Sequence, residues 1–526
     1  MTPEERAHAA ANLDPDSVTA ATRRLSWVRV LGLVVAIAAA AAGVVGFRTA
    51  TRPALAATVQ SDFMPYVDVT ATPQYPFEDA SRSASANMVL GFVVSSRGDA
   101  CTPSWGGAYS LDEAATSMDV DRRIARLRQR GGQVAISFGG EANSELADTC
   151  TDPARLLAAY RSVVRRYSVN TIDLDIEGAG ASRSDAVQRR ATAIRALQLE
   201  EQHAKRTLAV WLTLPVDPSG LTRSGRAIVA RTLAADVTLA GVNGLTMDYG
   251  GSLAAGRSTA SAYRSAVTGL AAQLTSLYAA AGRRLAHGAE WQLIGATPMI
   301  GQNDVAAERF ELADARSLVA FAQAHHLRRL SMWSVNRDQA CGPNYANASI
   351  VSDNCSGVDQ RAGAFTAILA SFRATSARTP KADARPAVPT SGTTATSIVD
   401  DPASSPYEIW NPELPYAHGT KVVWHHNVYE AKWWTEGDTP DAPVAASTDT
   451  PWTLIGPVLP GEHPAPTPTV SAGTYPQWSA AATYRAGARV VYDGVGYQAK
   501  WYSVGDVPGI VVGDAGKTPW QLITHA

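Results

Sequence analysis

Over about 310 residues this chain alternates short apolar runs with helical patterns, and that alternation limits its fold more than any other feature. Runs of β character occur at 63–69 (FMPYVDV), 88–94 (MVLGFVV), 133–137 (QVAIS), 171–176 (TIDLDI) and 208–214 (LAVWLTL). Three more follow at 242–247 (VNGLTM), 292–297 (QLIGAT) and 330–333 (LSMW), with helical stretches such as 119–130, 154–167 and 261–282 between them. Eight strands alternating with helices predict a parallel α/β fold, and the count fits a (β/α)8 barrel. A doubly wound open sheet would want a glycine-rich turn after its first strand, and none is present. In a barrel, the residues that do chemistry belong at the carboxyl ends of the strands.

The fourth run meets that requirement. It reads Asp173-Leu174-Asp175-Ile176-Glu177-Gly178, so Asp173, Asp175 and Glu177 share one face, about 6.6 Å apart along the strand. Stacked like charges in a barrel interior repel and lose hydration, which does nothing for stability. The repulsion has a catalytic use, because it keeps one acid protonated near neutral pH. Glu177, nearest the mouth, is the natural proton donor to a leaving oxygen. Retaining cleavage of a glycosidic bond also needs a nucleophile opposite the acid, and three acids on one strand face leave none. The economical source is the substrate itself, through the carbonyl of a 2-acetamido group, which makes the sugar an N-acetylhexosamine. No metal or cofactor is required.

This run resembles the D-x-x-D-x-D-x-E signature of glycoside hydrolase family 18, the chitinases and related enzymes. One position departs from it: Asn170 stands where the first acid belongs, an amide expected to reach Asp173 without carrying charge. Ser137-Phe138-Gly139-Gly140 resembles the family's S-x-G-G motif, where small residues let the rim approach the acids. Met247-Asp248-Tyr249 resembles the M-D-Y form of its tyrosine motif, and Trp333 the tryptophan that floors the sugar pocket. The resemblance implies that Asp175, relayed by Asp173, orients the acetamido nitrogen, and that Tyr249 holds its carbonyl. It also implies that Met247, Asp248, Gly139 and Gly140 lie against the substrate. Gln302 and Asn303, after the seventh run, are read as polar sugar contacts. No large insertion separates the seventh and eighth runs, so an open cleft and endo-type cleavage of β-1,4-linked N-acetylglucosamine polymers are expected. The alternatives are an endo-β-N-acetylglucosaminidase acting on glycoprotein glycans, a non-catalytic chitin-binding lectin and a peptidoglycan-binding envelope protein.

Eight of the 13 tryptophans fall in the last 117 residues, where the chain repeats itself. Trp410, Tyr416, Gly419, Val422, Tyr429, Lys432, Gly437, Pro440, Pro451 and Trp452 recur 68 positions later without a gap, ending at Trp520. Each copy is a small strand-and-turn module with adjacent aromatics, Trp433-Trp434 in one and Trp501-Tyr502 in the other. Neighbours on a strand point to opposite faces, so one ring of each pair is expected in solvent, free to stack on a sugar or a proline-rich peptide. The A-K-W-[WY]-x-x-G-[DE]-x-P core at 431–440 and 499–508 resembles carbohydrate-binding modules of families 5 and 12, which implies binding to chitin.

The expected order is a cytoplasmic leader (1–29), a transmembrane or signal-anchor helix (30–47), a catalytic domain (61–373) and a Pro/Ser/Thr/Ala linker (374–405). A first module (407–456), a short linker (457–474) and a second module (475–524) complete it. Residues 30–47 carry no charge and would rise about 27 Å as a helix, close to a bilayer core. Arginines 23, 24 and 29 favour an N-terminus inside. Ala54-Leu55-Ala56 also reads as a cleavage site, so an anchored and a secreted form both stay open. Either exports the bulk of the chain to where its four cysteines can oxidise; Cys101–Cys150 with Cys341–Cys355 is one of three connectivities. A net charge of −2 gives no basic field for nucleic acid, and a monomer is expected.

Overall fold

A computed structural model describes residues 62–79, 85–253, 259–345, 347, 349–372, 399–464, 469–471, 473–509 and 518–523. Eight parallel strands form the central sheet. They are β1 (Asp62–Phe63 continued by Tyr66–Asp68), β2 (Met88–Ser95), β3 (Val134–Gly139), β4 (Thr171–Asp175), β5 (Ala209–Asp217), β6 (Leu239–Leu245), β7 (Ile294–Thr297) and β8 (Arg329–Leu330). Each pairs with the next, and the ring closes because β1 pairs with β8 through Asp62–Phe63 and with β2 through Tyr66–Asp68. Closure leaves the ring of eight parallel strands without an open edge. The barrel predicted from the alternation is therefore present.

The helices packed around the barrel include α1 (Val120–Gln129), α2 (Pro153–Arg166), α3 (Ser184–His203), α4 (Arg223–Ala234), α5 (Thr259–Ala280), α6 (Leu312–His325) and α7 (Ala364–Leu369). α2 shows how local sequence sets a boundary. The Asp152 carboxylate accepts from the N–H groups of Ala154 and Arg155, Pro153 takes the first turn, and Arg165 and Arg166 sit at the negative end of the helix dipole. The apolar faces of strands and helices merge into one core that includes Leu90, Ile136, Leu174, Leu212 and Leu330. Disulfides Cys101–Cys150 and Cys341–Cys355 form as read, the first joining the loops after β2 and β3.

The C-terminal region is all β. Sheets Lys421–Trp424/Asn427–Ala431/Trp452–Pro457 and Arg489–Tyr492/Val495–Ala499/Trp520–Leu522 keep the 68-residue offset at nearly every boundary. Tyr416, Val422 and Trp452 pack the first core, and Tyr484, Val490 and Trp520 the second. The adjacent aromatics depart from expectation. They lie in bends between strands, so strand alternation does not apply, and both rings of each pair face solvent. Part of the expected linkers also belongs to the modules. Asp400 is buried and its carboxylate accepts from the backbone of His425 and His426, while Thr469 bridges Val495.

The first module is seated on α1. The Arg122 guanidinium donates to the Pro457 carbonyl (2.7 Å) and to both Glu462 oxygens, and Lys421 pairs with Asp119 at 2.5 Å. Gly456 lies so close that a Cβ there would come within 2.7 Å of the Arg122 carbonyl oxygen. Among the described residues no helix is long and apolar enough to cross a membrane. The expected leader and membrane segment, the cleavage site at Ala54–Ala56 and linker residues 373–398 lie outside the described residues.

Candidate active site

β4 carries the acids into the barrel. Asp173 and Asp175 are buried on its inner face, and Glu177, two residues past the strand, keeps an extended backbone (φ −125°, ψ 177°) that preserves the alternation. The Asp173 carboxylate is held from three directions. Oδ2 accepts from the Tyr66 hydroxyl of β1 and the Ser137 hydroxyl of β3, both at 2.8 Å, and Oδ1 accepts from Thr213 of β5 at 2.7 Å. Asn243 of β6 donates to Thr213 (3.1 Å) and to Thr297 of β7 (2.7 Å), so the polar network crosses the barrel interior. Buried hydroxyls committed this way fix the carboxylate's orientation.

Burial raises Asp175 well above the usual carboxylate range, and the negative charges of Glu177 and Asp173 add to the rise. Glu177 is pushed up to about 7, first by burial and then by the charge of Glu141; its hydrogen bond with Asp175 pulls the other way. A glutamic acid at that value is half protonated at neutral pH and can both give and take a proton. Glu177 and Asp175 border a cavity of about 260 Å³ whose polar rim includes Glu141, Asn143, Asp148 and Arg183.

Gly139 and Gly140 sit against β4. Gly139 adopts φ 106°, its missing Cβ would lie 2.0 Å from the Asp175 carbonyl oxygen, and the Gly140 N–H donates to that oxygen at 3.1 Å. The S-x-G-G run thus lets the rim approach the acids, and Gly140 also lines the cavity beside Asp175 and Glu177. After β6 ends at Leu245, Met247 is half-buried and Asp248 takes a left-handed turn (φ 49°). The Asp248 carboxylate accepts from the Val305 N–H at 2.9 Å and so braces the neighbouring loop. Glu308 accepts from the backbone N–H groups of Tyr249 (3.0 Å) and Gly250 (2.7 Å). The buried Tyr249 hydroxyl has no hydrogen-bond partner among the described residues, and Asp175 Oδ1 shares that condition. Burial raises Tyr249 strongly, so its hydroxyl stays a donor. Trp333 is half-buried beside Phe92 (ring centroids 5.3 Å apart) and Tyr66 (6.2 Å).

Three expectations are corrected. Asn170 does not reach Asp173: it is exposed at the foot of β4, where its side chain accepts from Thr171, and residues three apart on a strand point to opposite faces. Gln302 is buried, and its amide nitrogen donates to the carbonyls of Asn303, Ala306 and Glu308. Asn303 is likewise buried and donates to Met299 and Gly301. Both amides brace their own loop instead of offering sugar contacts. The sequence reading missed Tyr66, Thr213, Asn243, Glu308 and Arg329. Period-two counting along the first, fifth and sixth runs would have put Tyr66, Thr213 and Asn243 on inner faces.

An eight-stranded closed barrel with a column of acids on its fourth strand is the class of domain that this geometry defines, and solved chitinase domains have the same fold. The catalytic domain of a hyperthermophilic chitinase from Pyrococcus furiosus matches with a TM-score of 0.51 and 27% identity over 59% of this chain and 94% of that domain. Active domain 2 of the thermostable chitinase of that organism, complexed with chito-oligosaccharides, matches with a TM-score of 0.51 and 28% identity over 60% of this chain and 96% of that one. In sequence, the "Probable bifunctional chitinase/lysozyme" of Escherichia coli is 33% identical over 289 residues, 54% of this chain and 31% of the relative. "Endochitinase 11" of Metarhizium anisopliae is 33% identical over 283 residues, 52% of each. The chain spans at most about half the length of these curated relatives. No family model matches it.

Proposed function

We propose that the chain is a chitinase of the glycoside hydrolase family 18 type, M-D-Y subgroup, that cleaves β-1,4-linked N-acetylglucosamine polymers with retention and with the substrate's own acetamido group as nucleophile. One observation carries the reading: the buried Asp175 Oδ1 lacks a partner beside an acid poised at about 7, and past the end of β6 the buried Tyr249 hydroxyl also lacks one among the described residues. An acetamido group offers one N–H and one carbonyl, the complement of that acceptor and that donor. Glu177 protonates the glycosidic oxygen. The acetamido oxygen attacks the anomeric carbon as the C–O bond breaks, Asp175 accepts the acetamido N–H and stabilises the positive oxazolinium, and Tyr249 holds the attacking oxygen. Glu177 then takes a proton from water, which opens the ring. Trp333 beside Phe92 supplies an aromatic wall for the sugar.

The exposed pairs Trp433-Trp434 and Trp501-Tyr502 bind the polymer surface and, as tethered modules, raise the enzyme's effective concentration there. Two disulfides suit work outside the cytoplasm, whether anchored by residues 30–47 or released near Ala56. Peptidoglycan also carries 2-acetamido sugars, and the Escherichia coli relative's name includes lysozyme, so cell wall is the second substrate to test.

The deciding experiment compares the wild type with Glu177→Gln on colloidal chitin, soluble N-acetylglucosamine oligomers and purified cell wall. Short oligomers released from chitin by the wild type, and lost in the variant, are the expected outcome. Tight binding without cleavage of any substrate would leave a chitin-binding protein and refute the enzyme.

A further inference from the structure

β8 brings a charge into the barrel that the steps above do not use. Arg329 is 2% exposed, and its Nε donates to Ser331 Oγ at 3.0 Å. The guanidinium lies 5.0 Å from the Trp211 ring centroid and 5.9 Å from that of Tyr66, and Nη1 stands 3.6 Å from Asp173 Oδ1. Nη1 and Nη2 have no hydrogen-bond partner among the described residues. A guanidinium withdrawn from water with both terminal nitrogens unbonded is tolerated where negative charge answers it. Asp173 supplies that charge by contact, and Asp175, two residues further along the same face, adds to it through the low-dielectric interior when it gives up its proton.

We propose that Arg329 is the buried counter-charge of the acid column, a positioning residue that governs how readily Asp175 gives up its proton and thereby the acid limit of hydrolysis. The inference rests on the chitinase reading for its link to turnover. The groups around it make the assignment specific. β4 contributes Asp173, Asp175 and Glu177, and β1 contributes Tyr66, with Asp62 as the register partner of Arg329. Ser137, Thr213, Asn243 and Thr297 from β3, β5, β6 and β7 are neutral. Burial, Glu177 and Asp173 all push Asp175 up, and Arg329 opposes them. Asp175 must carry negative charge when the oxazolinium forms. Removing the arginine's charge makes Asp175 hold its proton to higher pH, so the acid limb of kcat moves up.

The test compares the pH profiles of kcat and KM for wild type, Arg329→Gln and Arg329→Lys on one soluble oligomer. Arg329→Gln moves the acid limb of kcat upward by about one pH unit, while Arg329→Lys, which keeps the charge, stays within a few tenths of the wild type. Arg329→Met repeats the neutral substitution in apolar form if the glutamine variant does not fold. Neutral variants that lower kcat while leaving the limb in place, or a lysine variant that shifts as far as they do, would reduce Arg329 to packing and overturn the proposal. An infrared difference titration of the carboxyl band, assigned with Asp175→Asn, reads the same shift without turnover. If the wild type cleaves nothing, the chitinase reading falls on that result, and the infrared titration still judges Arg329 alone.

Discussion

Gly139→Ala is the substitution whose consequence the structure defines most closely. The added Cβ would start 2.0 Å from the Asp175 carbonyl oxygen and 3.1 Å from its carbonyl carbon. An ordinary contact begins near 3.4 Å. The strand that carries the acids must therefore retreat by about 1.4 Å, or β3 must move away and surrender the Gly140 to Asp175 hydrogen bond. The φ of 106° compounds the strain, because it lies outside the regions that alanine adopts readily. A misplacement of about 1 Å in a catalytic group costs about 100-fold in rate, equivalent to about 2.7 kcal/mol. Hydrolysis of a soluble N-acetylglucosamine oligomer by Gly139→Ala should thus fall at least that far in kcat. Circular dichroism and the thermal midpoint check that the barrel is still formed. A folded variant with kcat within about threefold of wild type would refute the claim that the contact between β3 and β4 sets the position of the acids.

Because Glu177 acts while protonated and is pushed up to about 7, kcat/KM should fall about tenfold per pH unit above that value. A basic limb near the ordinary glutamic acid range in a pH–rate profile would contradict this. Asn170→Asp should leave that profile and kcat unchanged within about twofold, because the side chain lies exposed at the foot of β4; recovery or loss of activity in the oligomer assay would say otherwise. In the modules, the ammonium groups of Lys432 and Lys500 lie over the Trp433 and Trp501 rings at 5.1 and 4.7 Å, whereas Trp434 and Tyr502 are 51% and 63% exposed. Trp434→Ala and Tyr502→Ala should each weaken adsorption to insoluble chitin by about tenfold, as a binding isotherm would measure.

The barrel was legible because eight apolar runs bury both faces in a closed parallel sheet, and that leaves an uninterrupted signal. The acid column was legible because charge on the inner face of a strand has no structural excuse. What holds the column was harder to see. Tyr66, Thr213 and Asn243 are ordinary polar residues in apolar runs; β5 flanks β4 directly, but only closure of the ring brings Tyr66 of β1 across to Asp173. Gln302 and Asn303 misled because an amide after a strand suits a loop carbonyl as well as a sugar, and spacing does not distinguish the two. The aromatic pairs misled because a bend suspends the alternation that strands obey.

The seat of the first module on α1 has a further meaning for the repeat. Internal duplication produces two equal copies, and these two have ceased to be equal. Gly456, Glu462 and Lys421 fit the first to Arg122 and Asp119, while the residue matching Lys421 in the second is Arg489, which is turned to Tyr475 and Gln498 of its own module. The first copy is docked on the barrel through α1, whereas Arg489 of the second is spent inside its own module. Their order along the chain is therefore part of the architecture, because an exchange of the two would set Arg489 in the place where Lys421 now meets Asp119.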